Sequence, residues 1–520
     1  MTAILEGRGV AVSEVTAGER TRQRLLPPMP HDAPWGWLGP LLVTLVAAFP
    51  RFWDLSRPRA VVFDETYYVK DALSLLRFGY EQQTVQDAND RLLAGKTDIF
   101  TGAPEFVVHP PLGKWVVAAG EWLFGVTPFG WRFATALVGT LTVWILARVV
   151  RRMTRSTLLG CLAGLLLALD GLHLVLSRTA ILDVILTFFI VCAFACLVVD
   201  RDFARSRLAS LAEGVATSAY GSSLLWRPWR LASGVLLGAA CATKWSGIYF
   251  LAAFGLMTFF WDHGARRSVG IRRPLLATLR LDAVPALLSI VGSALLIYVV
   301  SWSGWLLTSG GWDRQWATNR STSFPFIPDA LRSLWHYHAE MWRSNTTLHS
   351  PHAYASKPGG WPLLARPVSM YYAGDVQPCD SKRCVSAVLA LGNPAIWWFG
   401  ILTVLFALWL WAARRDWRAG AALAGIAAGW LPWFLYSNRT IFSWYSVVYL
   451  PFTIITIVLF LGWILGPPNA PPERRTWGAA VVGAYVMVVL AMFAYFLPIW
   501  TGEVIPYTDW LRHMWFRRWV

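Results

Sequence analysis

Apolar stretches of about 20 residues, the length that an α-helix needs to cross a bilayer, recur along this chain. No other feature of the sequence constrains its fold as strongly. The composition agrees, because 56% of the 520 residues are hydrophobic and only 15% are charged. A soluble protein of this size needs more charge to cover its surface. The sequence therefore predicts an all-α polytopic membrane protein.

Eleven stretches qualify as membrane spans. They cover about 36–53, 129–148, 157–172, 181–199, 231–246, 247–262, 283–307, 393–412, 419–436, 441–465 and 478–499. The tryptophans cluster near the ends of these stretches, as in the aromatic belt at a membrane interface. The sequence thus predicts about eleven transmembrane helices.

The loops between the predicted spans separate by charge. Arginine-rich segments occupy 148–155, 200–230, 262–280, 413–418 and 471–475, and the positive-inside rule assigns them to the cytoplasm. The polar tail 1–34 has no apolar signal-peptide core and is predicted on the same side. Two long loops, 54–128 and 308–392, then lie outside and carry short helices. Because this bias explains the net charge of +16, no nucleic-acid partner is predicted.

The C-terminal segment 500–520 does not fit this pattern. Its last residues, "WLRHMWFRRWV", are basic, yet the count of eleven spans places them outside. Two explanations stay open. The segment is an amphipathic interfacial helix, or the count is wrong by one span.

Charged side chains gather at the outer ends of the predicted spans. A charge at the bilayer centre costs roughly 2.5–3.5 kcal/mol on insertion scales, so such residues mark function. The cations are Arg132, Arg178, Lys244 and Arg439, with His109 and Asp183 at the same level. Together they predict one cavity that binds an anionic lipid headgroup. Taken singly, each has a plainer explanation, such as an ion pair between Arg178 and Asp183.

Two adjacent carboxylates, Asp64 and Glu65, open the first outer loop. Asp64 precedes apolar residues at helical spacing, which predicts a helix that begins here with Asp64 as its N-cap. The alternative is a catalytic base and its helper. Neighbouring helix residues point in different directions, so the two carboxylates would have separate roles: one takes a proton from an acceptor hydroxyl, and the other pairs with a cation or with substrate backbone.

Eight segments, in chain order, resemble the protein O-mannosyltransferase family of the GT-C glycosyltransferase class. They are "FDETYY" (63–68), "HPPLGK" (109–114), "RFATALVG" (132–139), "SRTAILD" (177–183), "GVLLGAACATKWSG" (234–247), "SPHAYASKPGGWPLL" (350–364), "GNPAIWW" (392–398) and "NRTIFSWYSVVYLPF" (438–452). The resemblance implies a GT-C fold. It implies a tail (1–34), a catalytic membrane core (35–307), a second outer loop (308–392), C-terminal helices (393–499) and an outer C-terminal segment (500–520).

The resemblance also implies an activity: inverting transfer of mannose from polyprenyl-phosphate-mannose to Ser/Thr hydroxyls of exported proteins. Asp64 would be the base and Glu65 its acidic partner. Arg132, Arg178, Lys244 and Arg439 would be candidates for the donor phosphate. His109, Asp183, His352 and Tyr354 would contact the sugar or the acceptor.

One departure from the family is informative. Eukaryotic members carry a β-trefoil MIR domain in the long outer loop, and here 308–392 is too short for one. This fits a bacterial, actinobacterial-type member in the plasma membrane, surrounded by membrane lipids and acting on Ser/Thr-rich chains delivered by the Sec translocon. No cluster of His and Asp has the spacing of metal ligands, so the only predicted co-reactant is the lipid-linked donor, and a divalent metal is left open.

Cys379 and Cys384 lie in the second outer loop. In an oxidising compartment they are expected to form a disulfide, and the alternative is two free thiols.

Two other functions remain open from the residues. A GT-C enzyme could add the sugar to a lipid or polysaccharide instead of a protein. A flippase or transporter is the third reading, but transporters place charged and broken-helix features near the bilayer midplane, whereas here the charges gather at the outer helix ends.

Overall fold

The structure, a computed structural model, describes residues 25–215, 219–322, 324–347, 349–377, 379 and 381–520. Its first helices are α1 (Trp35–Phe52), α2 (Glu65–Phe78), α3 (Ala88–Leu93), α4 (Leu112–Phe124), α5 (Pro128–Thr154), α6 (Thr157–Ala168), α7 (Gly171–Ser177) and α8 (Leu182–Val215). They are followed by α9 (Pro228–Thr243), α10 (Gly247–Ser268), α11 (Pro274–Ser301, with two π-helical turns) and α12 (Ser303–Leu307). The last are α13 (Asp329–Thr347), α14 (Pro394–Arg414), α15 (Trp417–Trp430), α16 (Pro432–Leu435), α17 (Leu450–Leu465), α18 (Pro472–Thr501) and α19 (Tyr507–His513).

Helical structure lies at every one of the predicted spans, but not every helix is long and apolar enough to cross a membrane on its own. Among the described residues, six are: α1, α5, α8 up to Ser210, α11, α14 and α18. The pair α6 and α7, bent by 66°, makes a seventh if it counts as one span. A polytopic membrane protein is therefore confirmed, and the count of eleven stays a prediction.

In the part of the chain that the structure describes, five short β-strands correct the prediction of an all-α chain. In the first long loop, β1 (Gln82–Thr84) pairs antiparallel with β2 (Phe100–Pro104). In the second, β3 (Val368–Gly374) pairs antiparallel with β4 (Cys384–Ala390). The last strand, β5 (Val504–Pro506), completes the second sheet in the order β3-β4-β5.

The pairing of β5 with β4 answers the question raised by the C-terminal segment. Cys384 lies opposite Pro506 and Ser386 opposite Val504, so this segment lies on the same side as the second long loop. The first long loop is there too, because the Val107 amide donates to the Tyr337 hydroxyl at 3.1 Å. Residues 504–506 therefore lie beside the second long loop, as a shared side requires, while the number of spans stays a prediction.

The arginine-rich loops meet at the other end of the molecule. Arg152 and Arg155 both contact Asp202, at 2.8 and 2.9 Å, and Asp32 pairs with Arg151 at 2.6 Å. The segment before α1 therefore lies with the basic loops, as predicted. Residues 1–24 of the predicted tail lie outside the described residues.

Two glycines allow α9 and α11 to pack closely. A Cβ on Gly238 would lie 2.6 Å from the Ala294 carbonyl oxygen, and one on Gly234 would lie 2.3 Å from that of Ser289. This small-xxx-small spacing brings helix backbones together in membrane proteins. The contact lies near the end of α9, which contains Cys241 in its last turn and is followed by Lys244.

Candidate active site

A cavity of about 870 Å³ lies where the two long loops meet the ends of α9, α10 and α11. The charged and polar part of its lining includes Asp64, Asp71, Glu105, His109, Lys114, Lys244 and Arg439. The apolar part includes Cys241, Ile248, Leu251, Val291, Ala294 and Leu295. A cavity with both kinds of lining suits a ligand that has an anionic head and an apolar tail.

Asp64 faces this cavity and does not cap α2 with its side chain. It precedes the helix in sequence, but its carboxylate accepts no cap hydrogen bond, so the predicted capping role is wrong for the side chain. The preceding residue, Phe63, has a φ of 45°, in the left-handed region that bulky residues rarely adopt. The rings of Trp444 and Phe442 pack edge-on against Phe63 at 5.0 and 6.0 Å. This packing holds the turn that directs Asp64 into the cavity.

The surroundings of Asp64 adjust its basicity. Burial raises the pKa of this carboxyl to about 6, and the nearby positive charge of Lys244 opposes the rise. A carboxyl with that pKa is largely ionised at neutral pH and still accepts a proton readily. General bases work best when their pKa lies near the operating pH, so Asp64 has the properties of a general base.

Lys244 lies in the turn between α9 and α10 and is held by Asp183 from the first turn of α8. Its ammonium nitrogen is 3.0 Å from both carboxylate oxygens of Asp183 and 4.0 Å from the centre of the Tyr445 ring. The suggested ion pair between Arg178 and Asp183 is therefore wrong, because Asp183 pairs with Lys244. The ammonium is fixed at the cavity wall beside Asp64.

Arg439 is another cation of the cavity lining, and part of its guanidinium is unpaired. Its Nη1 lies 3.4 Å from Asn345 Oδ1, a long contact. Its Nε is buried and has no hydrogen-bond partner within the described part of the chain. A buried N–H without a partner is costly, and an anionic ligand in the cavity would satisfy it.

Arg132, predicted to bind phosphate, is committed elsewhere. It is fully buried, and its Nε and Nη2 donate to Glu65 at 2.8 and 2.9 Å. Its other donors bind the carbonyl oxygens of Leu55, Pro58 and Ala60. A guanidinium has five N–H donors, and all are used here. The predicted phosphate contact of Arg132 is therefore wrong.

Glu65 is the centre of a structural junction and does not line the cavity. Besides binding Arg132, its carboxylate accepts hydrogen bonds from the backbone amides of Val62 and Ala180, at 2.9 and 3.0 Å. It thereby joins the start of α2 to α5 and to the turn before α8. Of the two roles predicted for Glu65, pairing with a cation agrees with this geometry. These contacts hold the start of α2, next to Asp64.

Arg178 also stabilises a turn and does not face the cavity. It donates to the carbonyl oxygens of Pro50, Trp53 and Asp54 at 2.8, 2.8 and 2.9 Å. These carbonyls lie at the end of α1 and in the turn that follows. Its predicted phosphate contact is wrong, because its guanidinium is directed at backbone oxygens.

The remaining predicted residues divide between the cavity and its surroundings. His109 lines the cavity, and burial together with the cations Lys244, Lys114 and Arg439 holds its pKa well below the usual range. It is therefore neutral at the cavity wall. His352 packs on Phe442 at 5.0 Å, outside the cavity lining. Tyr354 lies under Arg366 at 5.1 Å. Acceptor contacts by these two side chains remain predictions.

A second charged group in the cavity was missed from the sequence. Lys114 is fully buried between Glu81, which it contacts closely, and Asp71 at 3.5 Å. Burial raises the pKa of Asp71 to about 7, although the positive charge of Lys114 acts to lower it. The sequence held one sign that Asp71 lies near Asp64. Asp64, Tyr68 and Asp71 are spaced by four and three residues, so they share one face of a helix.

Two further features of the predicted site concern cysteines and metals. Cys379 and Cys384 are joined in a disulfide, with their Cα atoms 6.3 Å apart, at the start of β4. Within the described ranges, no group of three or more His, Cys, Asp or Glu side chains is placed to hold a metal ion.

Comparisons with known proteins agree along most of the chain. The profile of a family described as dolichyl-phosphate-mannose-protein mannosyltransferase matches residues 41–263. The profile of the C-terminal four-transmembrane region of protein O-mannosyltransferases matches residues 330–463. These two regions contain Asp64, Lys244 and Arg439.

Several curated relatives are similar over nearly their whole length. The polyprenol-phosphate-mannose–protein mannosyltransferase of Mycolicibacterium smegmatis is 41% identical over 505 residues, which is 94% of each chain. The protein of the same name from Corynebacterium glutamicum is 35% identical, covering 95% of this chain and 96% of its own.

A solved structure shows the same fold. One chain of the Saccharomyces cerevisiae protein O-mannosyltransferase Pmt1–Pmt2 complex, bound to the sugar donor, superposes with a TM-score of 0.70 at 16% identity. The match covers 93% of this chain and 92% of that one. This similarity confirms the overall helical fold that the eight sequence segments imply.

Proposed function

The chain belongs to the dolichyl-phosphate-mannose-protein mannosyltransferase family, and on this premise we propose that it transfers mannose from a polyprenyl-phosphate-mannose donor to Ser/Thr hydroxyls of exported proteins. The roles proposed for residues of this chain rest on one observation. Asp64, Lys244 and Arg439 line one cavity together with apolar side chains of α9, α10 and α11. A base, two cations and an apolar lining in one cavity meet the needs of a lipid-phosphate-sugar donor.

On the donor side, Lys244 and Arg439 bind the phosphate. As the bond between the sugar C1 and the phosphate oxygen breaks, negative charge grows on the leaving polyprenyl phosphate. Fixed cations in a site sheltered from water stabilise such charge strongly. The apolar side chains of α9, α10 and α11 accommodate the first part of the lipid.

On the acceptor side, Asp64 takes the proton from the Ser or Thr hydroxyl as its oxygen attacks C1. One carboxylate is enough for such a single displacement, which inverts the configuration at C1, whereas a retaining enzyme needs a second carboxylate as nucleophile. Asp183, the carboxylate nearest to Lys244, is occupied by that lysine. The geometry around Asp64 thus supports inversion.

The proposed location is the outer face of the plasma membrane. The cavity lies on the side of the two long loops, opposite the arginine-rich loops, and the positive-inside rule assigns the arginine-rich side to the cytoplasm. Acceptor chains would reach the cavity in extended form after export, which makes association with the Sec translocon part of the proposal.

The function is tested by following labelled mannose. Purified enzyme is mixed with radiolabelled polyprenyl-phosphate-mannose and a peptide rich in Thr, Ala and Pro. We expect the label to appear in the peptide and to disappear when every Thr is replaced by Val, which has the same shape without the hydroxyl. Label that enters only a lipid or polysaccharide fraction would show that the acceptor is not a protein.

Arg439 allows a separate test of the donor phosphate site. Arg439→Gln should raise the KM for the donor about 10- to 100-fold, because a hydrogen bond to a charged group is worth about 1.5–3 kcal/mol. The KM for the peptide should change little. Arg343→Gln is the matched control, since Arg343 is an exposed arginine on α13 with a weak ion pair. A rise confined to the peptide KM would assign Arg439 to the acceptor.

A further inference from the structure

We propose that α13, in the second long loop, lies on the outer leaflet of the bilayer and inserts a stripe of three side chains into it. The stripe consists of Leu331, Trp335 and Trp342, which are 43%, 79% and 56% exposed. At 3.6 residues per turn these three positions fall within an arc of about 40°. Large apolar side chains so exposed, and so aligned, indicate a surface that is covered in the working protein.

The three faces of α13 separate the stripe from the rest of the helix. One face is buried and consists of Ser333, Leu334, Tyr337 and Met341. A second face is polar and carries Arg332, His336, Glu340 and Arg343. The stripe forms the third face, about 120° from each of the others by the helical repeat. A soluble surface helix needs only two faces, so the third one requires its own partner.

The buried face shows where α13 sits. Its Tyr337 packs on Trp302 at 5.1 Å and on Trp305 at 5.9 Å. These two tryptophans lie at and just after the end of α11, which is long and apolar enough to span the membrane. Because α13 rests on the end of a span, it lies at the level of the membrane surface.

The lipid is the occupant that this position favours. The outward side of α11 is apolar into its last two turns, where Leu296 and Val300 are exposed, and such a surface faces hydrocarbon in a spanning helix. The stripe of α13 continues this surface beyond the end of the span. Tryptophan is the residue enriched at the membrane interface, and the neighbouring Arg332 and Arg343 suit anionic headgroups.

This placement has a consequence for the cavity. Trp342 of the stripe also lines the cavity, as does His338 one turn earlier. Anchoring α13 in the interface therefore holds one edge of the cavity at the depth of the lipid headgroups. The depth of α13 in the membrane does not depend on which reaction the cavity supports.

Spin labels measure the depth directly. Trp335→Cys and, as a matched control on the same helix, Arg343→Cys are labelled with a nitroxide in the full chain and placed in nanodiscs of phosphatidylglycerol and phosphatidylethanolamine. The parent chain is labelled in parallel, because Cys161, Cys192, Cys196 and Cys241 are free. Collisions with O₂, which dissolves in the bilayer, are compared with collisions with a water-soluble nickel chelate.

We expect the ratio of O₂ to nickel accessibility to be several-fold higher at position 335 than at position 343. Leu331→Cys should give the same high ratio and serves as a second position on the stripe. A low ratio at position 335, with high accessibility to the nickel chelate, would place the stripe in water and overturn the proposal. Low accessibility of position 335 to both reagents would also overturn it, because the stripe would then be covered by protein, such as a second copy of the chain.

Discussion

Replacing Asp64 by asparagine is expected to slow mannose transfer by about 10²–10⁴-fold, the usual contribution of a general base. The amide keeps the shape of the side chain but cannot take the proton of the acceptor hydroxyl. The loss should appear in kcat, with the KM for the donor nearly unchanged, because Lys244 and Arg439 remain in place. The assay is the transfer of labelled mannose to peptide under saturating donor.

Stability separates this effect from unfolding. Because burial disfavours the charged form of Asp64, the neutral amide should leave the thermal unfolding temperature in detergent unchanged or slightly higher. Asp90→Asn, at an exposed position of α3 in the same loop, is the control and should transfer mannose at the normal rate. Turnover of the Asp64→Asn variant like that of the wild type would rule out Asp64 as the base.

Glu65→Gln should have a different effect, on stability. The exchange leaves the Arg132 guanidinium fully buried and without its counter-charge. Breaking a buried ion pair by removing one partner costs about 3–5 kcal/mol. We therefore expect a large drop in the thermal unfolding temperature, and a loss of activity that follows the loss of folded protein.

The control for Glu65 is an exposed pair in the adjoining turn. Asp54 and Arg57 are 2.5 Å apart, with about two-fifths of each side chain exposed, and exposed pairs contribute only about 0–1 kcal/mol. Asp54→Asn should therefore barely change the unfolding temperature. In a double-mutant cycle, Glu65→Gln and Arg132→Met together should cost less than the sum of the two single changes. A folded, equally stable Glu65→Gln enzyme with no activity would instead make Glu65 a catalytic residue.

The sequence was sufficient to locate the helices and to select three residues that line one cavity. Hydropathy located the helices, because the bilayer fixes the length of an apolar segment. Charge at the outer helix ends identified Asp64, Lys244 and Arg439, which the structure brings to one cavity. Each of these three residues lies in a turn next to a helix end. The predicted order of the spans is therefore enough to assign the side of the membrane on which the residue lies.

Arg132 and Arg178 could not be separated from the true cavity residues in this way. Both lie at the same membrane level as Lys244, but their guanidinium groups bind backbone carbonyls in the turn between α1 and α2. The sequence does not reveal the path of that turn. Whether an arginine is directed at a ligand or at backbone oxygens depends on this path, so the position of the charge was predictable and its partner was not.

The second sheet was missed for a related reason. The strand β4 has the sequence "CVSAVLA" and is buried at every position. Its residues therefore do not alternate between apolar and polar, the pattern that indicates a half-buried strand. Because β4 also lies just before α14, its sequence cannot be distinguished from the apolar start of a helix. Its second partner, β5, lies more than a hundred residues further along the chain. Pairing at that distance has no local signal in the sequence.

The anomeric configuration of the product shows whether the reaction in this cavity is the single displacement that Asp64 would serve. Peptide mannosylated by the wild-type enzyme from a donor of known anomeric configuration is analysed by NMR, through the one-bond ¹³C–¹H coupling at C1. We expect every mannose on the peptide to have the configuration opposite to that of the donor. Retention of the donor configuration would contradict a single displacement, because a second carboxylate would then have to act as nucleophile.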